Sequence, residues 1–258
     1  MWWGQFNFDE QETKCWRVGD RLVAIRRSEH EWSVWNKETT QELDKPIQVN
    51  KLKARESLKE IAIQRFMVSN TSTTLVIEPS LADRAMVVRP NKPFFVMPEE
   101  EINIFVSTPL WMTLLLPKSD IPLTDIPFWR PSDSWFGPST MSGDLCYSKY
   151  TDAKMDNSLL EKRPHRASTM VTLKNEQDEP LRVERLNLPV PALKLYTNQN
   201  GDFWSDQVSI LQIKEHGKSI SHVRHNPPEK TLSLELVSES RELSNKPSFL
   251  SSIKSLVD

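Results

Sequence analysis

Thr73-Thr-Leu-Val-Ile-Glu78, Ala85-Met-Val-Val-Arg89, Pro93-Phe-Phe-Val-Met97, Glu101-Ile-Asn-Ile-Phe-Val-Ser-Thr108 and Trp111-Met-Thr-Leu-Leu-Leu116 decide the fold class of this chain. Each run is short and rich in β-branched or aromatic residues. The gaps between them are too short to hold a helix, so residues 73–116 read as consecutive strands. Pro90, Pro93, Pro98 and Pro109 stand at the run ends, where a missing N–H costs no ladder bond.

The same pattern extends outward on both sides. Upstream, Cys15–Val18, Arg21–Arg27 and Glu31–Asn36 are separated by Gly19-Asp20 and Ser28-Glu29, which reads as an antiparallel meander. Trp2, Trp3, Phe6 and Phe8 are expected to pack on the body. Lys37–Asn50 reads as a polar loop, Lys51–Lys59 as ambiguous, and Ile61–Val68 as a strand. Downstream, Asp144–Thr151, Arg166–Leu173, Leu181–Asn187, Leu193–Thr197, Phe203–Ile213, Ser219–His225 and Thr231–Val237 continue the strands. Asn198-Gln-Asn-Gly-Asp202 is a hairpin-turn signal. With only 6 glycines, turns fall to Asn, Asp, Ser and the 18 prolines.

The expected fold is mostly β: antiparallel sheets in one or two β-sandwiches, ending in a short C-terminal helix. A chain of 258 residues has room for two such regions. The reading places an N-terminal β-sandwich region at 1–117, a second β region at 118–240 and an amphipathic helix at 246–258. Phe249, Leu250, Ile253, Leu256 and Val257 fall on one face of that helix. Asn245-Lys246-Pro247 precedes it as a linker, which favours docking on another chain over docking on the chain's own body.

Composition excludes several classes. Hydrophobic residues at 38% and charged residues at 26% allow a core and argue against wholesale disorder. A net charge of −2 offers no global attraction for nucleic acid. The N-terminus lacks a basic region followed by an apolar run, so it does not read as a signal peptide. Leu110–Leu116 is too short to span a bilayer as a helix, so no membrane insertion is expected. Cys15 and Cys146 are expected as free thiols in a reducing cytoplasm.

The segment from Ile126 to Tyr150 is the candidate functional region. The reading makes Pro117–Ser142 a proline-rich loop, and within 126–150 Trp129, Arg130, Asp133, Trp135, Phe136 and Asp144 mix aromatics with charge, joined by His165. Such a mixture suits a ligand or partner surface; the alternative is a crossover whose aromatics plug the core. Within it, Trp135 is expected to be buried beneath the loop, with Arg130 and Asp133 fixing the loop's shape.

Catalytic fingerprints are missing. No Gly-x-Ser-x-Gly elbow, phosphate-binding glycine loop, Cys-x-x-Cys or His-Glu-x-x-His occurs. His222 and His225 are three apart, which on a strand points them to opposite faces and argues against a shared metal. Asp133 and Asp144 beside Trp129 and Trp135 superficially suit sugar hydrolysis, but both fit turn positions more simply. No cofactor and no metal is expected, and enzyme activity is left open with the balance toward none.

Six blocks resemble a known family: Pro93–Pro98, Val106–Trp111, Arg130–Gly137, Gly143–Tyr147, Arg163–Ala167 and Leu186–Pro191. Together they resemble prokaryotic proteins of the domain-of-unknown-function family 432, over roughly Arg84–Trp204. The resemblance implies no reaction and no catalytic residue. It implies an accessory role connected with channels of the mechanosensitive type. The function expected is therefore that of a cytoplasmic, non-enzymatic binding or accessory protein. Its partner would be a protein or a second copy, with the cytosolic part of a membrane protein as one option. The alternative is a ligand- or carbohydrate-binding protein, or a hydrolase, using 126–150.

Overall fold

The computed structural model describes residues 1–39, 47–51, 63–68, 72–119, 121–139, 142–215, 218–228 and 233–242. They divide into two compact units, each assembled from separated stretches of chain. The first holds Met1–Ser80, Pro109–Trp129 and Arg163–His165; the second holds Leu81–Thr108, Arg130–Lys162 and everything from Arg166 on. The expected helix at 246–258, with Phe249, Leu250, Ile253, Leu256 and Val257, lies outside the described residues. So does most of the ambiguous Lys51–Lys59.

The chain opens in the first unit with β1 (Gly4–Asn7), β2 (Thr13–Val18), β3 (Arg21–Ser28), β4 (Glu31–Glu38), β5 (Ile47–Lys51), β6 (Ile63–Met67) and β7 (Thr74–Ser80). β8 (Met86–Pro90), β9 (Phe94–Val96) and β10 (Glu101–Pro109) follow in the second unit. β11 (Trp111–Leu115) and β12 (Pro122–Pro127) return to the first. The rest build the second: β13 (Asp133–Ser139), β14 (Ser142–Thr151), β15 (Arg166–Asn175), β16 (Leu181–Val183), β17 (Leu186–Leu188), β18 (Leu195–Thr197), β19 (Phe203–Ser205), β20 (Gln207–Glu215), β21 (Lys218–Asn226) and β22 (Glu235–Ser238).

The first unit has two antiparallel sheets, ordered β5-β2-β3-β4-β6 and β1-β7-β11-β12. The expected meander is present. Val18 pairs with Arg21 across Gly19-Asp20, and Gly19 takes the left-handed φ of +56° that a tight turn demands. The two sheets meet through aromatic rings contributed by the N-terminal stretch. Phe6 stands edge-on to Trp16 at 5.1 Å, and Phe8 stands edge-on to Trp32 at 5.0 Å. Trp2 and Phe8 are buried and Trp3 and Phe6 half-buried, as expected for an N-terminal stretch too apolar to form a free arm, and Trp16 and Trp32 beside them are buried too.

The second unit holds a seven-stranded sheet ordered β21-β20-β15-β19-β18-β22, with β10 pairing β15 off that path. It also holds a four-stranded sheet, β13-β14-β8-β17, and the β9–β16 ribbon. The antiparallel expectation needs correction here, because β14 runs parallel to β8 and β15 runs parallel to both β19 and β20. Parallel partners cannot be joined by a tight hairpin, so their pairing leaves no local sequence signal. Among the described residues no α-helix occurs, and the fold is mostly β.

Candidate functional site

The proline-rich stretch 117–142 is largely not a loop, contrary to expectation. β12 and β13 run through it. Both lie at sheet edges, so Pro122 and Pro127 in one, and Pro138 in the other, can occupy strand positions without costing an interior ladder bond.

β13 and β14 pair antiparallel, with Asp133 opposite Tyr147, Trp135 opposite Leu145 and Phe136 opposite Asp144. Alternation along β13 sends neighbouring aromatics to different environments. Phe136 is only 2% exposed and packs with Val87 and Cys146. Trp135 is 41% exposed, and Leu145 facing it is 50% exposed. The expected burial of Trp135 is therefore overturned: on an edge strand with one dry face, only every second side chain reaches the core.

Two glycines let this hairpin close. A Cβ on Gly137 would lie 2.3 Å from the Ser142 carbonyl oxygen, and one on Gly143 would lie 2.6 Å from that of Phe136. The Gly143 position also faces the Trp135 indole, whose Nε1 would be 2.9 Å away. The ring thus rests over a glycine at a point where the register shifts between Phe136 and Ser139.

A charged cluster borders the Trp135–Leu145 pair. Arg130 Nη2 donates to Asp133 Oδ1 at 2.8 Å, and Arg84 Nη1 donates to the same oxygen at 3.2 Å. Both guanidinium groups sit over the ring of Tyr147, at 5.4 and 5.3 Å. The Tyr147 hydroxyl in turn donates to Asp83 at 2.9 Å. Burial, then the Asp83 hydrogen bond, push the Tyr147 phenol above its ordinary value. The hydrogen bond from Arg130 to Asp133 holds that guanidinium firmly charged. The expected Arg130–Asp133 pair is present, and Asp133 also holds Arg84, 49 residues before it in the chain.

The other expected residues are placed differently. Asp144 is exposed at the hairpin end. Trp129 and His165 belong to the first unit, Trp129 being 40% exposed and His165 buried. The His165 imidazole closes over Gly19, where a Cβ would lie 2.6 Å from Cε1, and its ring centroid is 6.3 Å from that of Phe128. It plugs that unit's core. Arg84, Asp83, Leu145 and Tyr147 were missed as site members. Arg84 and Asp83 carry no local signal, since only the parallel β8–β14 pairing brings them in.

No group of three His, Cys, Asp or Glu side chains among the described residues could hold a metal. His225 faces Asp206, with Nδ1 to Oδ2 at 3.5 Å. Asp206 is buried and also accepts from the Tyr196 hydroxyl at 2.9 Å and from the Lys194 backbone N–H at 3.0 Å. Both cysteines are free and buried, and burial raises each thiol to about 11. Among the described residues no helix is long and apolar enough to cross a membrane.

Fold and site together define a mostly β protein presenting an exposed aromatic–aliphatic strand pair framed by a shared arginine–aspartate cluster. The chain belongs to the family described as Protein of unknown function (DUF432), which matches residues 2–256. The expected family is thus shown, and over more of the chain than the six blocks suggested. Neither the curated proteins nor the solved structures contain a match to this chain.

Proposed function

We propose that this chain is a non-enzymatic binding protein built on β-sandwich units, and that it holds a protein partner on the outer face of the β13–β14 hairpin. One observation carries the reading: Trp135 and Leu145 form an exposed cross-strand pair where the next residues on each strand, Phe136 and Cys146, are buried. A rigid aromatic at the centre of a patch, bordered by arginine, is the composition that dominates binding energy at protein interfaces. Arg84 and Arg130 are pre-positioned by Asp133 and Tyr147, so little side-chain entropy is lost when a partner arrives.

Two buried, unpaired thiols fit a cytoplasmic setting. The family resemblance nominates the cytosolic part of a channel of the mechanosensitive type as the partner. The test is affinity capture from the native host with the intact chain and with Trp135→Ala, Leu145→Ser and Arg130→Ala. A partner recovered by the intact chain and lost with Trp135→Ala supports the reading. Equal recovery by all four proteins refutes it.

A further inference from the structure

On the Trp135 side of the four-stranded sheet, both guanidinium groups share a carboxylate. By strand alternation, Ser134, Phe136, Cys146, Ser148, Val87 and Arg89 lie on the other side. Arg89 is half-buried there. It donates through Nη1 to Ser148 Oγ, and through Nη2 to Ser134 Oγ at 3.1 Å. Both hydroxyls are neutral, and among the described residues Arg89 makes no ion pair. Arg185 sits 5.4 Å from the Phe136 ring and likewise has no carboxylate partner among the described residues. It directly precedes β17, in which Leu186 pairs with Val88 and Asn187 with Val87. That register sets Arg185 beside Arg89.

The nearby acids do not offset these charges. Glu184 is held by Arg182 at 2.9 Å. Asp144 lies across from Phe136 at the exposed hairpin end and forms no ion pair among the described residues. A guanidinium withdrawn from water and given only hydroxyl partners is an uncompensated charge. Arginines with serine hydroxyls and an aromatic floor are the groups that recognise phosphate oxygens, and the fork geometry permits bidentate contact.

We propose that Arg89, Arg185, Ser134 and Ser148 form an anion site for a phosphate monoester carried by a soluble small molecule. The guanidinium groups bind the phosphoryl oxygens, the serine hydroxyls turn to donate, and the exposed Tyr150, level with Arg89 on the paired strand, borders the group the phosphate is attached to. The site does not depend on partner binding at Trp135, because it uses different residues and the other side of the sheet.

The experiment compares melting temperature in about 10 mM inorganic phosphate, in phenyl phosphate and in sodium chloride of equal ionic strength, because ligand binding to the folded state alone raises it. The intact chain is expected to gain a few degrees in both phosphates over chloride, with phenyl phosphate the stronger. Arg185→Gln, which removes only a contact to Phe136, is expected to weaken the apparent affinity about tenfold or more, as loss of a charge-assisted contact does. Asp144→Asn is expected to tighten it. Adding Arg89→Gln to Arg185→Gln is expected to abolish the response. Equal melting in phosphate and chloride overturns the proposal, as does a response that survives Arg185→Gln unchanged. Binding to vesicles of phosphatidic acid without any response to the soluble phosphates also overturns it.

Discussion

The adjacent aromatics of β13 offer a sharp test of where its dry face lies. Phe136 is 2% exposed and packs with Val87 and Cys146, so Phe136→Ala leaves a cavity. Truncations of this kind cost about 3–5 kcal/mol. A fully enclosed tryptophan buries roughly 150–250 Å². With 41% of Trp135 exposed, about 90–150 Å² is buried, worth at most about 2–4 kcal/mol at roughly 25 cal/mol per Å². Residual burial in the unfolded chain lowers that to about 1.5–3 kcal/mol, and no enclosed cavity adds to it. Trp135→Ala, the larger truncation, is therefore expected to cost about 1 kcal/mol less than Phe136→Ala or better, in the reverse order of side-chain size. Urea denaturation followed by circular dichroism measures both, provided the slope stays constant so that the midpoints report stability. A Trp135→Ala loss equal to or above that of Phe136→Ala would show the indole to be the core residue and remove the basis of the proposed contact face.

Three further outcomes follow from the same structure. Gly143→Ala is expected to destabilise the protein by about 1–3 kcal/mol in thermal or urea denaturation, because the new Cβ meets the Phe136 backbone rather than a side chain that can yield; wild-type stability would disprove the close approach. Cys15 and Cys146 are expected to resist a thiol reagent at pH 8 while folded, since burial keeps both protonated, and to give two thiols once denatured; fast native labelling would contradict their burial. Burial, aided by Asp83 at Tyr147 and Asp206 at Tyr196, raises both phenols, so the folded state keeps protons that the unfolded state sheds above about pH 10. Stability should then fall as pH rises through that range. Phe variants at both positions should flatten the decline, and an unchanged decline would place its origin elsewhere.

What the sequence disclosed was local. Alternation and short runs reveal strands, and Gly19-Asp20 and Asn198–Asp202 reveal hairpins, because those preferences act between neighbours. The prolines between 117 and 142 misled for a physical reason. A missing N–H bars proline from interior strands only, and whether a strand is an edge depends on partners far away. The same limit hid Arg84 and Asp83. They reach the hairpin because β8 lies parallel to β14, and nothing near either residue encodes that pairing. Trp135 and Phe136 illustrate a phase ambiguity: alternation says one points inward, and only the neighbouring strands decide which.

The two units also share the chain in an uneven way. The backbone passes between them after Ser80, Thr108, Trp129, Lys162 and His165, and the three residues Arg163–His165 enter the first unit alone. There Trp2 Nε1 donates to the Pro164 carbonyl at 3.1 Å, and the Leu110 N–H donates to that of His165 at 3.0 Å. A ribosome must therefore deliver residue 165 before the first unit can close, although most of its strands emerge much earlier. During that interval β1 and β7 can pair while the Trp2 and Gly19 contacts wait for their partner. Chains stalled or cleaved anywhere between 130 and 162 would carry an incomplete first unit, so proteolytic trimming from the C-terminal side should undo both units once it passes residue 165, and only the second while it stops short of that point.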